Sequence, residues 1–467
     1  MAIFTDHFLM ERNDIYFPED GCRCHPFNDR YWSEVESVSL ERIKEIQLIR
    51  LKNIVKFAYE KSPFYKRLWE SRKFHPDDIK HLDDIRKIPP VLKEDYQKDQ
   101  QENSPFGTLW TTPPNEMPKF WRTSGTTANP RLFGSTWEDL ENTVWQTSRA
   151  LYAQGIRKGW RAFFAFGFSS FQAFWDIMET AQHMGCQVVP KGNLPTRPWL
   201  KLIKDLASYG NNFMCCTPTF AFRQAEELQE MGMDPRELNI KKLCVAGEPG
   251  YGIPETHKRM KDLWGAEIHD LPGSTETSGT VFFSCQELEK YDPPSDHVLA
   301  DRYIVELLDE KTLEPVKGDT GLTCVTALGR FGFPIIRYFM KDVITIKEDF
   351  TCCCRRTLPV VIGGIKARVE DMIIVKGVNI IPSAVENIVR SMSILGTEFR
   401  IKKTKKGEVE ILVESEQKLS SEKREEIEKI LEQRFYDVWY VALGARVLDP
   451  GTIERREVKT KRVIVEE

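Results

Sequence analysis

Apolar residues along the first 120 positions fall mostly at helical spacing. From Leu40 to Phe64, the residues Ile43, Ile46, Leu48, Leu51, Ile54, Val55 and Ala58 recur in steps of three and four, which predicts one long amphipathic helix. The stretch Pro89 to Pro118 is rich in Pro, Asp, Asn and Gln and reads as loop. Between about residues 160 and 280 the pattern changes. Short apolar runs (Ala162 to Phe166, Gln187 to Val189, Phe213 to Cys216, Leu243 to Ala246) alternate with helical segments, as in a parallel, doubly wound sheet. Beyond about Ile365 the pattern predicts a compact α+β unit: two short strands, a helix near Pro382 to Arg390, a strand at Val409 to Val413, a charged helix over Ser420 to Phe435 and a last strand. The expected fold class is α/β, with a large N-terminal domain of doubly wound sheets at 1–366 and a small α+β C-terminal lid at 367–467.

Composition narrows this picture. With 467 residues, 41% apolar, 29% charged and a net charge of −4, the chain can bury a sizeable core and carries no polybasic footprint for nucleic acid. No apolar run is long enough to span a bilayer, and Met1 to Asp20 lacks the basic and apolar blocks of a signal peptide. Eleven cysteines, an odd number over a long chain, suggest thiols or metal ligands in a reducing compartment. A cytoplasmic protein with no membrane span is expected, with a homodimer as one option for its assembly.

Five segments carry candidate chemistry. In Thr123-Ser124-Gly125-Thr126-Thr127-Ala128-Asn129-Pro130-Arg131, hydroxyls flank a glycine whose missing side chain lets backbone N–H groups approach an anion; surface turns share this composition. Asp270-Leu271-Pro272-Gly273-Ser274-Thr275-Glu276 follows a strand-like run and offers a tight turn, a hydroxyl and a hard carboxylate suited to Mg²⁺; it equally suits a capped turn opening a helix. In Pro334 to Asp342, the Asp342 carboxylate is a natural acceptor for vicinal ribose hydroxyls, while Arg337 suits a structural ion pair. Gly451 to Val463 is a cationic run, suited to a solvated face or to presenting an ammonium to a charged transition state. Finally, Cys285, His297 and the run Cys352-Cys353-Cys354 could supply closed Cys₃His coordination of structural zinc, Cys353 being a rival ligand; buried thiols also serve as small hydrophobes. Cys22-Arg23-Cys24-His25 is a weaker second cluster.

In their order, these segments resemble the phenylacetate–coenzyme A ligase branch of the adenylate-forming superfamily. The first resembles the family's Ser/Thr-Ser-Gly-Thr-Thr-Gly-Lys-Pro loop, with Ala128-Asn129 where Gly-Lys is usual. The second resembles Asp-x-Tyr-Gly-x-Ser/Thr-Glu, with Pro272 in the tyrosine's place. Ala246-Gly247-Glu248-Pro249 resembles the loop flanking adenine, and Pro334 to Asp342 resembles Pro-x-Ile-Arg-Tyr-x-x-x-Asp. Ala367 to Glu386 resembles the joint between the large and small domains, and Gly451 to Val463 the motif presenting the adenylation lysine.

The resemblance implies ATP-dependent activation of an organic acid, aromatic or alicyclic, to an acyl-adenylate, then transfer to coenzyme A. It implies phosphate contacts at Thr123, Ser124, Gly125, Thr126 and Thr127, a loop flanking adenine at Gly247, Glu248 and Pro249, Pro272 where a tyrosine packs on adenine, further nucleotide contacts at Asp270, Leu271 and Gly273, and Thr275 near the α-phosphate. Asp342 and Arg368 would take the ribose, and Gly377 to Asn379 would line the thiol tunnel. Catalytic roles fall to Lys459 (with Lys461 the competing choice), Glu276 as Mg²⁺ ligand, and Thr127. Phe168, Phe171 and Trp175 would shape the acid pocket, and zinc would be held by Cys285, His297, Cys352 and Cys354, with Arg355 in the place of the family's glycine. The alternatives are adenylation with another acceptor, such as a carrier protein or a cofactor, and a degenerate nucleotide-binding paralogue.

Overall fold

The computed structural model describes residues 17–123, 130–375, 378–404, 408–454 and 462–465. Ser124, Gly125, Thr126, Thr127, Ala128, Asn129, Gly377, Lys459 and Lys461 lie outside them.

The amphipathic run beginning at Leu40 is a helix over Leu40–Lys61, started by the Ser39 hydroxyl, which accepts from the Arg42 amide at 3.2 Å. It does not continue to Phe64. Pro63 has no N–H to donate and drives Ser62 out of helical geometry (φ −97°, ψ 113°), so a second helix starts at Pro63 and runs to Ser71. Ile43, Ile46, Leu51, Ile54, Val55 and Ala58 form the buried stripe of the first helix. The stretch read as loop contains a helix, Lys93–Glu102. Only Tyr96 and Asp99 of it are buried, so it has no apolar stripe for a periodicity reading to detect.

The alternating region forms a five-stranded parallel sheet, ordered Gln187–Pro190, Arg161–Phe164, Asn212–Cys216, Ile240–Val245 and Glu267–Asp270. Successive side chains leave opposite faces. Ala162, Phe164, Phe213, Cys215 and Cys244 enter one hydrophobic core, while Phe163, Met214, Cys216, Leu243 and Val245 enter another beneath Trp199 and Trp264. The sheet is thus doubly wound, with its strand ends and following loops free to build a site.

A second sheet of seven antiparallel strands includes Phe282–Phe283, Asp296–Val298, Tyr303–Leu308, Thr320–Ala327, Tyr338–Lys347 and Val360–Val361. Its last strand, Ala367–Arg368, pairs Arg368 opposite Asp342. The C-terminal residues have a core of their own, drawn from Ile373 to Val447 with Val463 packed against it. Its four-stranded sheet has the order Gly444–Leu448, Val409–Ser415, Leu395–Lys403, Val463–Val465. The nine-residue strand Leu395–Lys403 has no counterpart in the sequence reading. This unit rests on the helix Pro254–Trp264, where Thr256 donates to Glu386 at 2.9 Å and Arg259 to the Leu395 carbonyl at 2.9 Å.

Candidate nucleotide cleft and cysteine cage

The strands Lys119–Arg122 and Leu132–Ser135, which flank the candidate phosphate loop in the chain, pair antiparallel. Their pairing is extended by Thr123, whose amide donates to the Arg131 carbonyl and whose hydroxyl accepts from the Arg131 amide, both at 3.0 Å. The loop between them lies outside the described residues. The Arg131 side chain turns inward and forms an ion pair with Glu276, and it donates to the Tyr338 hydroxyl at 2.8 Å. All three are buried. Burial alone would raise the Glu276 carboxyl; Arg131, a backbone hydrogen bond, Arg368 and Ser274 together outweigh it, and the group is held below its usual range. Tyr338, given no role by the sequence reading, is braced by Tyr96 at 5.3 Å between nearly parallel rings.

Beside this pair, Arg368 donates to Asp342 at 2.9 Å, with the facing carboxylate raising the guanidinium's affinity for its proton. Arg337 makes the structural ion pair its neighbourhood suggested, with two 2.9 Å bonds to Glu306. Gly273 is required sterically: a Cβ there would lie 2.1 Å from the Gly279 carbonyl oxygen. Pro272 accepts at its carbonyl from Val281 at 2.9 Å, and the Thr275 carbonyl accepts from Arg330 at 2.9 Å, so the segment is pinned through its backbone.

Gly247, Glu248 and Pro249 follow the strand Ile240–Val245. Gly247 takes φ +93°, and Glu248 accepts from the Thr219 amide at 2.7 Å. Leu271 is buried, and Asp270 at the end of the neighbouring strand has a carboxyl pushed up to about 8 by burial. Across the cleft, Arg462 reaches the Thr219 hydroxyl at 3.5 Å, which brings the C-terminal tail beside the Glu248 loop.

The aromatic loop after Arg161–Phe164 is tied to the strand Lys119–Arg122 by the Arg122 amide, which donates to the Ser170 carbonyl at 2.9 Å. Phe168 and Trp175 meet edge to face at 5.1 Å, and Trp175 donates to the Ser169 carbonyl at 2.8 Å. Phe168, Phe171 and Trp175 are all partly exposed, whereas Phe163, Phe164 and Phe166 are core.

On another face, Cys285, His297, Cys352 and Cys354 bring their donor atoms within 4.8 Å of one another. Zinc–sulfur bonds of about 2.3 Å in a tetrahedron require sulfurs about 3.8 Å apart; Cys285 and Cys352 are 3.8 Å apart. His297 Nε2 lies 3.1 Å from the Cys354 sulfur. Backbone amides of Leu288, Cys354 and Arg356 point at three of these sulfurs from 3.4 Å, an arrangement that favours thiolates. With Cys285 and Cys352 hydrogen-bonded to it, Cys354 is driven far below the usual thiol range, while Cys285 goes up. Cys353 is exposed, its sulfur 4.0 Å from the Tyr291 hydroxyl, and it is not among the four converging residues. Cys22, Cys24 and His25 are exposed and form no such group among the described residues. The sequence reading missed Glu36 and Arg356, which bond at 2.7 Å and pin the cysteine loop to the N-terminal segment. Their 320-residue separation leaves no local signal.

The model for AMP-binding enzymes matches residues 77–329, and that for the AMP-binding enzyme C-terminal domain matches residues 377–466. This chain belongs to the AMP-binding enzyme family. Its curated relatives include a phenylacetate-coenzyme A ligase of Thermus thermophilus, 28% identical over 455 residues, covering 93% of this chain and 99% of the relative. Among solved structures, 2-hydroxyisobutyryl-CoA ligase in the postadenylation state aligns with a TM-score of 0.89 at 25% identity, covering 97% of this chain and 96% of the other. The same enzyme in the thioesterification state aligns at 0.70, with 27% identity and coverage of 94% and 93%. The fold of this AMP-binding enzyme is accordingly a large N-terminal AMP-binding domain followed by a C-terminal domain.

Proposed function

We infer that this chain is an AMP-forming acid–coenzyme A ligase. A carboxylic acid attacks the α-phosphate of ATP, giving acyl-adenylate and pyrophosphate; the thiol of coenzyme A then attacks the acyl carbon and AMP leaves. The observation that carries this reading is the Arg131 bridge, which joins the base of the candidate phosphate loop to Glu276 in a buried setting. A guanidinium at that position supplies fixed positive charge where polyphosphate and developing α-phosphate charge would lie. It also offsets the missing lysine of the loop, whose place is taken by Asn129.

The residue roles follow from the chemistry of each group. Thr123, with Ser124, Gly125, Thr126 and Thr127, would hold phosphate oxygens. Arg131 bonds Glu276 Oε1, and the Glu276 carboxylate would ligate Mg²⁺. Asp342, oriented by Arg368, would accept from the ribose hydroxyls, and the Gly247 to Pro249 and Asp270 to Gly273 segments would flank adenine. Phe168, Phe171 and Trp175 would receive the acid's apolar part.

We place the boundary between the two domains at 366/367. The alignment follows the postadenylation arrangement of the related ligase more closely than its thioesterification arrangement, which supports a C-terminal domain that delivers Lys459 for the first step and rotates for the second. Zinc held by Cys285, His297, Cys352 and Cys354 would supply a covalent staple with no open position for catalysis. Among the described residues no helix is long and apolar enough to cross a membrane; we place the protein in the cytoplasm, where its thiols stay reduced.

The deciding experiment is pyrophosphate release from ATP with a panel of aryl and alkyl acids, followed by coenzyme A consumption. Release dependent on an acid, with acyl-CoA and AMP as products, is expected. ATP binding with silence across the panel would defeat the reading. Replacement of Lys459 by Ala is expected to cut adenylate formation by about 10²–10³-fold while sparing thioester formation from supplied acyl-adenylate; equal loss of both half-reactions would reassign the lysine.

A further inference from the structure

The helix Gln172–His183 starts directly after Phe171 and carries Trp175, so its first turns border the proposed acid pocket. Two of its polar side chains are out of place in an apolar pocket wall. Gln172 and Asp176, one turn apart, are 1% and 2% exposed. Gln172 Oε1 and Asp176 Oδ2 are buried with no hydrogen-bond partner. Side-chain oxygens left unpaired in a protein interior are costly and call for a reason.

Their surroundings indicate one. The Gln172 amide donates to the Ser278 hydroxyl at 2.9 Å, which fixes the amide so that its oxygen faces away from that bond. Ser278 is held in turn by Thr143 at 3.1 Å and by Gln146, which donates to its carbonyl at 2.7 Å. Next to it stands Gly279 at φ +98°; a Cβ there would lie 2.9 Å from Thr143 Cγ2, 3.1 Å from Gln146 Nε2 and 3.7 Å from Asp176 Oδ2, so glycine lets this segment pack closely against Thr143 and Gln146 with the Asp176 carboxyl beside it. Ser278 and Gly279 lie two and three residues beyond Glu276 in the chain. On the proposed function, an acid whose carboxylate reaches the α-phosphate beside Glu276 would extend its remaining atoms toward the aromatic loop and this segment.

We propose that Gln172 and Asp176 form the polar end of the acid pocket, and that the acid activated by this chain carries a hydroxyl or uncharged amino group that pairs with both. Such a group can donate to Gln172 Oε1 and exchange a hydrogen bond with the Asp176 carboxyl, whereas a hydrocarbon would leave both oxygens unmatched. Burial, which holds Asp176 well above the usual carboxylate range, favours a neutral partner over an ammonium ion. The inference rests on the proposed acid-activating function and names its substrate class.

The test uses the full chain and matched acids: phenylacetate against its ring-hydroxylated and ring-aminated forms, and cyclohexanecarboxylate against its hydroxylated forms. In wild type, kcat/KM for pyrophosphate release is expected to favour at least one substituted acid over its parent by about tenfold or more, because a site built to pair a hydroxyl rejects the analogue lacking it. Gln172→Leu and Asp176→Leu are expected to bring that ratio within about twofold of unity; as a ratio within one preparation, it does not depend on the fraction folded. Equal use of parent and substituted acids by wild type, or a preference that survives both substitutions, would overturn the proposal. Acid-induced rise in Tm with AMP present reads binding without chemistry. A substituted acid that binds in preference to its parent yet releases no pyrophosphate upholds the pocket and defeats the activity reading, whereas equal binding of the pair overturns the pocket.

Discussion

The cysteine cage and the nucleotide cleft are both built from residues far apart in sequence, yet they balance charge in opposite ways. In the cleft, opposite charges neutralise each other inside the protein: Arg131 against Glu276, Arg368 against Asp342. Each pair must share its charge with any phosphate, metal or ribose it meets. In the cage, three thiols and an imidazole bring their donor atoms within 4.8 Å of one another, and the nearby Arg356 is already bonded to Glu36. On the proposed function, the cage would hold one divalent cation and the cleft would exchange partners. The proposed structural zinc and a turning-over substrate would make those different demands.

The comparison breaks first at the cage. Replacement of Cys354 by Ser is expected to reduce zinc in the purified protein from about one equivalent to a small fraction and to lower stability by about 3–4 kcal/mol, the contribution of a ligand held at 10²–10³ times its dissociation constant. Metal analysis and thermal melting check both, and a zinc-free wild type with unchanged melting on chelation would remove the cage from the account. Next comes Glu276→Gln, which takes one charge from a buried pair and, on the proposed function, the Mg²⁺ ligand from the cleft. Pyrophosphate release should fall by about 10²–10³-fold with zinc content unchanged; a loss of zinc would show that the two regions are not independent.

A third effect is a matter of pH. His257, buried between Tyr251 and Glu289 near the Cys285 loop, is depressed by burial from 6.5 to about 4. The folded state prefers the neutral ring, so stability is full above pH 6.5 and is lost as pH falls toward 4, by about 3 kcal/mol at most. His257→Gln should flatten this part of the melting profile relative to wild type; an unchanged slope would refute the assignment. The smallest change expected is Asp342→Asn, which keeps the shape but, on the proposed function, would weaken ribose acceptance. KM for ATP should rise about tenfold, or about 1.4 kcal/mol, with little change in kcat; an unaltered KM would leave Asp342 as a structural partner of Arg368.

Legibility in the sequence was uneven. The parallel strands could be read because buried strands are short apolar runs bounded by polar turns. The Lys93–Glu102 helix could not, because a helix lying on the surface with two buried residues has no stripe. The choice of Cys352 and Cys354 over Cys353 turns on which side chains point inward, and the Arg131 bridge spans 145 residues, so neither is marked by local spacing.

The chain's order of residues thus determined the family motifs, the α/β class and the set of candidate ligands, because these depend on residue type, local periodicity and spacing. Tertiary structure alone decided which charges meet, which cysteines converge and which polar groups on the Gln172–His183 helix are left buried without a partner. Those outcomes depend on side-chain direction and on distances between strands and helices remote in sequence, and no short-range pattern encodes them.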